Sequence, residues 1–264
     1  MNILELKDVS ITYQNTKEAV QHVSFAVPEG KIVAIVGESG SGKSTIIRAA
    51  IGLLPAGGQQ SSGQILFDGK DMALMTAEEL RRIRGEGIAM IFQNSGDYLN
   101  PRRKVCDQYV EMLRCHQKMP KAQGYEMAKK MLATLKLPDA KHVMNAYPFQ
   151  LSGGMKQRVA IAMAMSLHPK LLLADEPTSA LDVTVQAQVV RQMMELRDES
   201  GAAVVIVTHN MGVASRMADY IAVMQHGQLK EFGTRDQVIL HPQDDYTKKL
   251  LAVVPELRGD TYGA

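Results

Sequence analysis

The sequence predicts an α/β fold: a mainly parallel sheet, an antiparallel β-subdomain at the N-terminus and a helical subdomain in the middle of the chain. Three observations carry that prediction. Five short apolar runs, KIVAIVG (31–37), GIAMIFQ (87–93), KLLLADE (170–176), AAVVIVTH (202–209) and YIAVMQHG (220–227), are continuous and rich in Val and Ile, as strands buried on both faces are. ILELKDVSITY and AVQHVSFAV, near the N-terminus, alternate apolar with polar residues instead, and QILFDGK fits the same subdomain. Alternation is the mark of half-buried antiparallel strands. From about 95 to 160 the chain reads as helical and rich in Met.

The composition supports one folded body. Hydrophobic residues make up 45% and charged residues 22% of the 264, enough apolar material for a large core. We expect a single domain over 1–264, with a core and its antiparallel β-subdomain over 1–93 and 161–233, a helical subdomain over 94–160, and a tail over 234–264. From about Gln228 a short hairpin and the helix YTKKLLAVV are expected. Met112, Met119, Met127, Met131, Met144 and Met155 read as helix core, with an adaptable docking surface as the second reading. A net charge of +2 is too near neutral for a nucleic-acid footprint. Cys106 and Cys115 match neither a CxxC pair nor a zinc knuckle, which points to two plain thiols in a reducing compartment. MNILELKD meets charge at Glu5 and Lys7, unlike a signal peptide. No apolar run is long enough to span a bilayer. The expected location is cytoplasmic, with any membrane association made through a partner.

Four of the five runs end in chemistry. GESGSGKS (Gly37, Glu38, Ser39, Gly40, Ser41, Gly42, Lys43, Ser44) stands between a buried strand and the helix that continues from Ser44 and Thr45 as STIIRAAIGLL. The pattern is that of a phosphate-binding loop. Its glycines permit left-handed backbone that would cost a side chain roughly 1–2 kcal/mol per position. Successive N–H groups can then turn inward onto phosphate oxygens. Lys43 is placed for the β- and γ-phosphates of a nucleotide and Ser44 for Mg2+. Asp175 is placed to hold the magnesium, and Glu176 beside it to orient and deprotonate an attacking water. Gln93 and His209 end their own strands in the same way: His209 suits the γ-phosphate, Gln93 the Mg2+ or the water. Ligands of open α/β sheets gather at the carboxyl ends of strands, so we expect these ends to converge. LSGGMKQR (151–158) reads as a second helix start, with Ser152 as N-cap, then Gly153 and Gly154, then the apolar-periodic run MKQRVAIAMAMSL. Such a start also suits a phosphate.

Taken in order, GESGSGKS, Gln93, LSGGM, LLLADEP, SALD (179–182) and His209 resemble the ATP-binding cassette of ABC transporters, from Tyr13 to about Gly233. The resemblance implies a P-loop NTPase core, ATP with Mg2+, and hydrolysis coupled to transmembrane transport. It implies that Tyr13 stacks on adenine, a role an aromatic side chain is suited to; a plain surface strand residue is the other reading. It further implies that two cassettes pair head to tail. Ser152, Gly153 and Gly154 would then cover the γ-phosphate held by the partner's loop, with SALD across the same interface. The second cradle serves the partner, a paralogue or a second copy.

Within the family the chain resembles the free-standing ATPases of the peptide/nickel importer group. LNPR (99–102) is similar to the group's SLNP, and the Met of LSGGMKQR is shared. PTSALDVTVQAQVV (177–190) resembles PTTALDVTVQAQIL, and PQDDYTKKLLAVVP (242–255) resembles PQHPYTRALLSAVP with Asp244 and Asp245 replacing His-Pro. NSGDY (94–98) departs from the group's Asp-Pro-Met and a small residue, in the segment where this family docks a membrane subunit's coupling helix. The end at Ala264 is more like nickel or metal-chelate members. The resemblance therefore implies an energy-coupling ATPase for nickel or metal chelates, peripheral on the cytoplasmic face of the inner membrane. Its implied partners are two membrane-spanning permease subunits and, indirectly, an extracytoplasmic substrate-binding protein, with no nucleic acid. The alternatives are the same role in a di- or oligopeptide importer, and a non-transport ATPase acting on nucleic acid or ribosomes. His22, His116, His142 and His226 form no metal-ligand spacing, so a nickel cargo need not touch this chain.

Overall fold

The structure, a computed structural model, describes residues 1–14, 18–137, 139–178 and 183–253, the side chains of Val183 and Thr184 excepted. The chain divides into two compact units, Met1–Thr76 with Ala203–Ala264, and Ala77–Ala202.

The first unit opens with β1 (Asn2–Tyr13), β2 (Val20–Pro28), β3 (Ile32–Val36), α1 (Lys43–Ala50), β4 (Gly58–Phe67) and the short β5 (Lys70–Asp71). An antiparallel sheet in the order β2-β1-β4-β5 forms the expected β-subdomain. Its alternation is physical: Val23, Phe25 and Val27 are buried while His22 and Ser24 are exposed.

The second unit runs through α2 (Ala77–Glu86), β6 (Ile88–Ile91), α3 (Val105–His116), α4 (Lys121–Thr134), α5 (Ala140–Asn145), α6 (Gly153–Met165), β7 (Leu171–Asp175) and α7 (Val183–Ser200). β6 and β7 pair in parallel, Ile88 opposite Leu171 and Ile91 opposite Ala174. Helix formation thus starts at Ala77, earlier than the sequence suggested. α2 buries none of its residues and is held by exposed ion pairs, Glu78 with Arg81 at 3.2 Å and with Arg82 at 3.3 Å. A helix stabilised by i,i+3 and i,i+4 charges carries no apolar stripe to find. Of the methionines, Met144 is fully buried and Met112, Met119, Met127, Met131 and Met155 are half-buried.

The chain then returns to the first unit with β8 (Ala203–Thr208), α8 (Met211–Met217), β9 (Tyr220–Gln225), β10 (Gln228–Thr234), α9 (Arg235–Leu240) and α10 (Asp245–Ala252). β3 lies parallel to both β8 and β9, and β10 closes the edge antiparallel to β9. Every residue of β3, β7 and β8 is buried, which is why their sequences are continuous apolar runs. Among the described residues no helix is long and apolar enough to cross a membrane.

Candidate nucleotide site

In the first unit β3 ends at Val36 and α1 begins at Lys43, so the glycine-rich segment is the turn between them. Gly37 has φ +146° and Gly42 φ +98°; a Cβ on Gly37 would stand 2.0 Å from the Met224 carbonyl oxygen, and one on Gly42 2.6 Å from that of Ala19. Both positions exclude a side chain by contact as well as by backbone angle. α1 has no side-chain cap and no acidic residue in its first turn. The positive end of its dipole is therefore left for an anion. Lys43 is 5% exposed. Its ammonium donates to the carbonyls of Gly37 at 2.8 Å and Glu38 at 2.6 Å, and reaches Ser41 Oγ at 3.4 Å. Glu38, Ser39 and Gly40 are exposed on the loop, and Ser44 and Thr45 are half-buried.

Two further residues lie at this end of the unit. Tyr13 closes β1 with its hydroxyl 3.5 Å from Thr45 Oγ1, and Gly58 leaves space for its ring, since a Cβ there would fall 2.7 Å from Tyr13 Cε1. His209 is exposed just past Thr208, which stands opposite Val36 in the parallel register. Asn210 then caps α8, accepting from Gly212 and Val213 N–H.

The second unit gathers the other candidates. The register of β6 and β7 carries Gln93 and Glu176 off their strands together, and Gln93 Nε2 donates to Glu176 Oε2 at 3.4 Å. Asp175 is 1% exposed. Glu176 has φ +44°, a left-handed conformation that costs a non-glycine residue about 1–2 kcal/mol and concentrates at functional positions. Ser152 is the N-cap of α6, its Oγ accepting from Met155 N–H at 3.3 Å. Ser152 and Gly153 are exposed, Gly154 is half-buried, and α6 has no acid in its first turn. A Cβ on Gly153 would meet nothing within 4 Å. The SALD segment lies outside the described residues.

Sequence reasoning missed Gln157. It is buried, and its Nε2 donates to the Pro177 carbonyl at 2.8 Å, tying α6 to the segment that follows Glu176. A polar residue inside an apolar-periodic helix was the available signal. Arg158 beside it is also buried and donates to the carbonyls of Gly154 and Lys136; burial lowers its guanidinium pKa. The segment after Gln93 forms a single 3-10 turn, Ser95–Tyr98, packed on α6 so closely that a Cβ on Gly96 would stand 2.7 Å from Lys156 Cβ. Tyr98 is 68% exposed with its ring 5.4 Å from Phe92.

A family model described as ABC transporter matches residues 20–179. The oligopeptide transport ATP-binding protein OppD of Bacillus subtilis is 42% identical over 97% of this chain and 72% of its own length. The dipeptide transport ATP-binding protein DppD of the same organism is 44% identical over 93% of this chain and 74% of its own. The glutathione import ATP-binding protein GsiA of Escherichia coli O157:H7 is 41% identical over 97% of this chain and 42% of its own length. Among solved structures, a dimeric ATP-binding cassette in a post-hydrolysis state with ADP and Pi matches with a TM-score of 0.77 at 30% identity, over 88% of this chain and 98% of that one. Relatives at this identity run along nearly the whole chain, and the family match spans the phosphate loop, the α6 start and the Asp175–Glu176 pair. The chain therefore belongs to the ABC transporter family: it is an ATP-binding domain and an ATPase.

Proposed function

We propose that this ATPase powers the import of peptides. The observation that carries the reading is the set of relatives, named for oligopeptide transport, dipeptide transport and glutathione import. They favour the peptide alternative over the nickel reading, which rested on the position of the last residue and has no support in these names. The C-terminal PQDDYTKKLL stretch belongs to the same group resemblance and is compatible with a peptide carrier.

In this reading the roles of the residues follow from their chemistry and, for Tyr13, from the family resemblance. The N–H groups of Gly37–Thr45 and the Lys43 ammonium bind the phosphates, and Tyr13 stacks on the adenine. Glu176 takes the proton of the attacking water, Gln93 holds the Glu176 carboxylate in place, and His209 donates to the γ-phosphate. Because the Gln93 amide nitrogen is engaged by Glu176, its amide oxygen is the atom left for a cation. That oxygen, the Ser44 hydroxyl and the Asp175 carboxylate are each hard oxygen donors, the kind that suits Mg2+. When bound, Mg2+ neutralises charge on the β- and γ-phosphates.

The pairing of two cassettes is supported by the dimeric relatives among solved structures and by α6 itself. Its exposed start offers N–H groups beside Gly153, a glycine that no contact among the described residues requires. Ser152, Gly153 and Gly154 serve the partner's ATP in this reading, so ATP binding favours the paired state. The segment from Gln93 to Pro101 couples pairing to two membrane-spanning permease subunits on the cytoplasmic face, loaded by an extracytoplasmic binding protein. The test is uptake in a strain lacking this chain. Loss of labelled tri- and tetrapeptide uptake with unchanged nickel uptake supports the proposal; loss of nickel uptake alone returns the metal reading.

A further inference from the structure

The phosphate loop is gripped from outside by the C-terminal helix. The Tyr246 hydroxyl, on α10, accepts a hydrogen bond from the Glu38 backbone N–H at 3.1 Å, and the residue is 9% exposed. The same peptide unit is held at its other end, where the Gly37 carbonyl accepts from Lys43 Nζ at 2.8 Å. The Gly37–Glu38 peptide is thus fixed between the lysine inside the loop and a phenol outside it. Gly37, at φ +146°, offers little intrinsic resistance to rotation, so these two partners set the orientation of the peptide.

The start of α10 is arranged to keep the phenol there. Glu231, on β10, accepts from the backbone N–H of Gln243 at 2.9 Å and of Asp244 at 3.2 Å. Asp244 in turn caps α10, accepting from the N–H of Tyr246 at 2.8 Å and of Thr247 at 3.4 Å. Burial raises the Tyr246 pKa. This assembly lies beyond residues 20–179, the stretch the family model covers.

We propose that Tyr246 is a positioning residue for nucleotide binding: held by Glu231 and Asp244, it fixes the Gly37–Glu38 peptide and, through it, the Lys43 ammonium. The proposal rests on the reading of Gly37–Ser44 as the phosphate loop.

The test measures MgATP affinity of the purified full chain by titration calorimetry, with thermal melting alongside, for wild type, Tyr246→Phe, Glu231→Gln and Lys43→Ala. Tyr246→Phe removes one hydroxyl and is expected to weaken binding about three- to tenfold, the usual worth of one hydrogen bond, with a melting temperature close to wild type. Glu231→Gln replaces one of two acceptors with a donor and should weaken binding in the same direction. In the Tyr246→Phe background it should weaken binding no further, as for two residues acting through one network; weakened affinity at an unchanged melting temperature is what a merely structural role does not produce. Wild-type affinity in Tyr246→Phe, with binding lost in Lys43→Ala, overturns the proposal and leaves the loop reading intact. Full binding in Lys43→Ala overturns the loop reading and the proposal with it. If Tyr246→Phe fails to fold, Glu231→Gln decides, and unchanged affinity there overturns the proposal.

Discussion

Gln93 Nε2 donates to Glu176 Oε2 across 3.4 Å, and both residues stand just past strands paired in parallel register. A carboxylate that accepts this bond is aimed as well as charged, because the amide restricts where its second oxygen points. Gln93→Ala is expected to slow ATP turnover about tenfold or more, the worth of a hydrogen bond to a charged group. Nucleotide affinity measured without Mg2+ should stay near wild type. Steady-state phosphate release beside equilibrium ATP binding separates the two effects.

The loop glycines differ in what they forbid. A Cβ on Gly40, at φ +79°, would meet nothing within 4 Å, whereas one on Gly37 would lie 2.0 Å from the Met224 carbonyl oxygen. Gly40→Ala should cost only the backbone strain of about 1–2 kcal/mol. Gly37→Ala must also displace β9 and should abolish nucleotide binding with a larger fall in melting temperature. Parallel thermal melts and ATP titrations check the contrast.

Gly153 offers a sharper separation of stability from activity. Because a Cβ there would touch nothing within 4 Å among the described residues and the backbone is helical, Gly153→Ala should hold or raise the melting temperature, gaining up to about 1 kcal/mol of helix propensity. If its glycine serves a partner's phosphate, hydrolysis by the assembled pair should nonetheless fall at least tenfold. Unchanged hydrolysis would remove the argument for a trans role.

Tyr109 tests the helical part of the second unit. It is fully buried, its hydroxyl 2.6 Å from Ser166 Oγ, and Ser166 donates onward to the Ala162 carbonyl. Burial pushes its phenol above the ordinary value of 10.0, with the Ser166 bond opposing in part. The unfolded chain releases this proton near its ordinary pKa while the folded one keeps it. The stabilisation is therefore complete below that pKa and is lost as pH rises above it. Tyr109→Phe should cost about 1–2 kcal/mol at pH 7 and should flatten the alkaline limb of stability. Denaturant midpoints at neutral and strongly alkaline pH measure both.

Much of this was legible in the sequence because it is local. Runs such as KIVAIVG name buried strands, GESGSGKS names the turn that follows one, and Ser152 before two glycines names an N-cap. The remainder depends on contacts between distant segments or on exposed structure. α2 lies on the surface and is held by Glu78 with Arg81 and Arg82, so its periodicity is silent. The Gln157–Pro177 and Tyr246–Glu38 bonds join residues 20 and 208 positions apart. No local pattern encodes them. The positive φ of Glu176 is hidden as well, since a glutamate before a proline advertises no left-handed turn. The nickel expectation failed to gain support for a different reason: it drew cargo from chain length, which bears no physical relation to the molecule transported.

The most direct measurement is ATP binding and phosphate release by the chain in complex with its partner subunits, wild type against Glu176→Gln. The amide keeps an oxygen able to accept from Gln93 but has no carboxylate to take a proton. ATP affinity is expected to be unchanged and release slowed by about 10²–10⁴-fold, the contribution typical of a general base. Release within a few-fold of wild type would contradict this, because Glu176 would then not be the group that activates water.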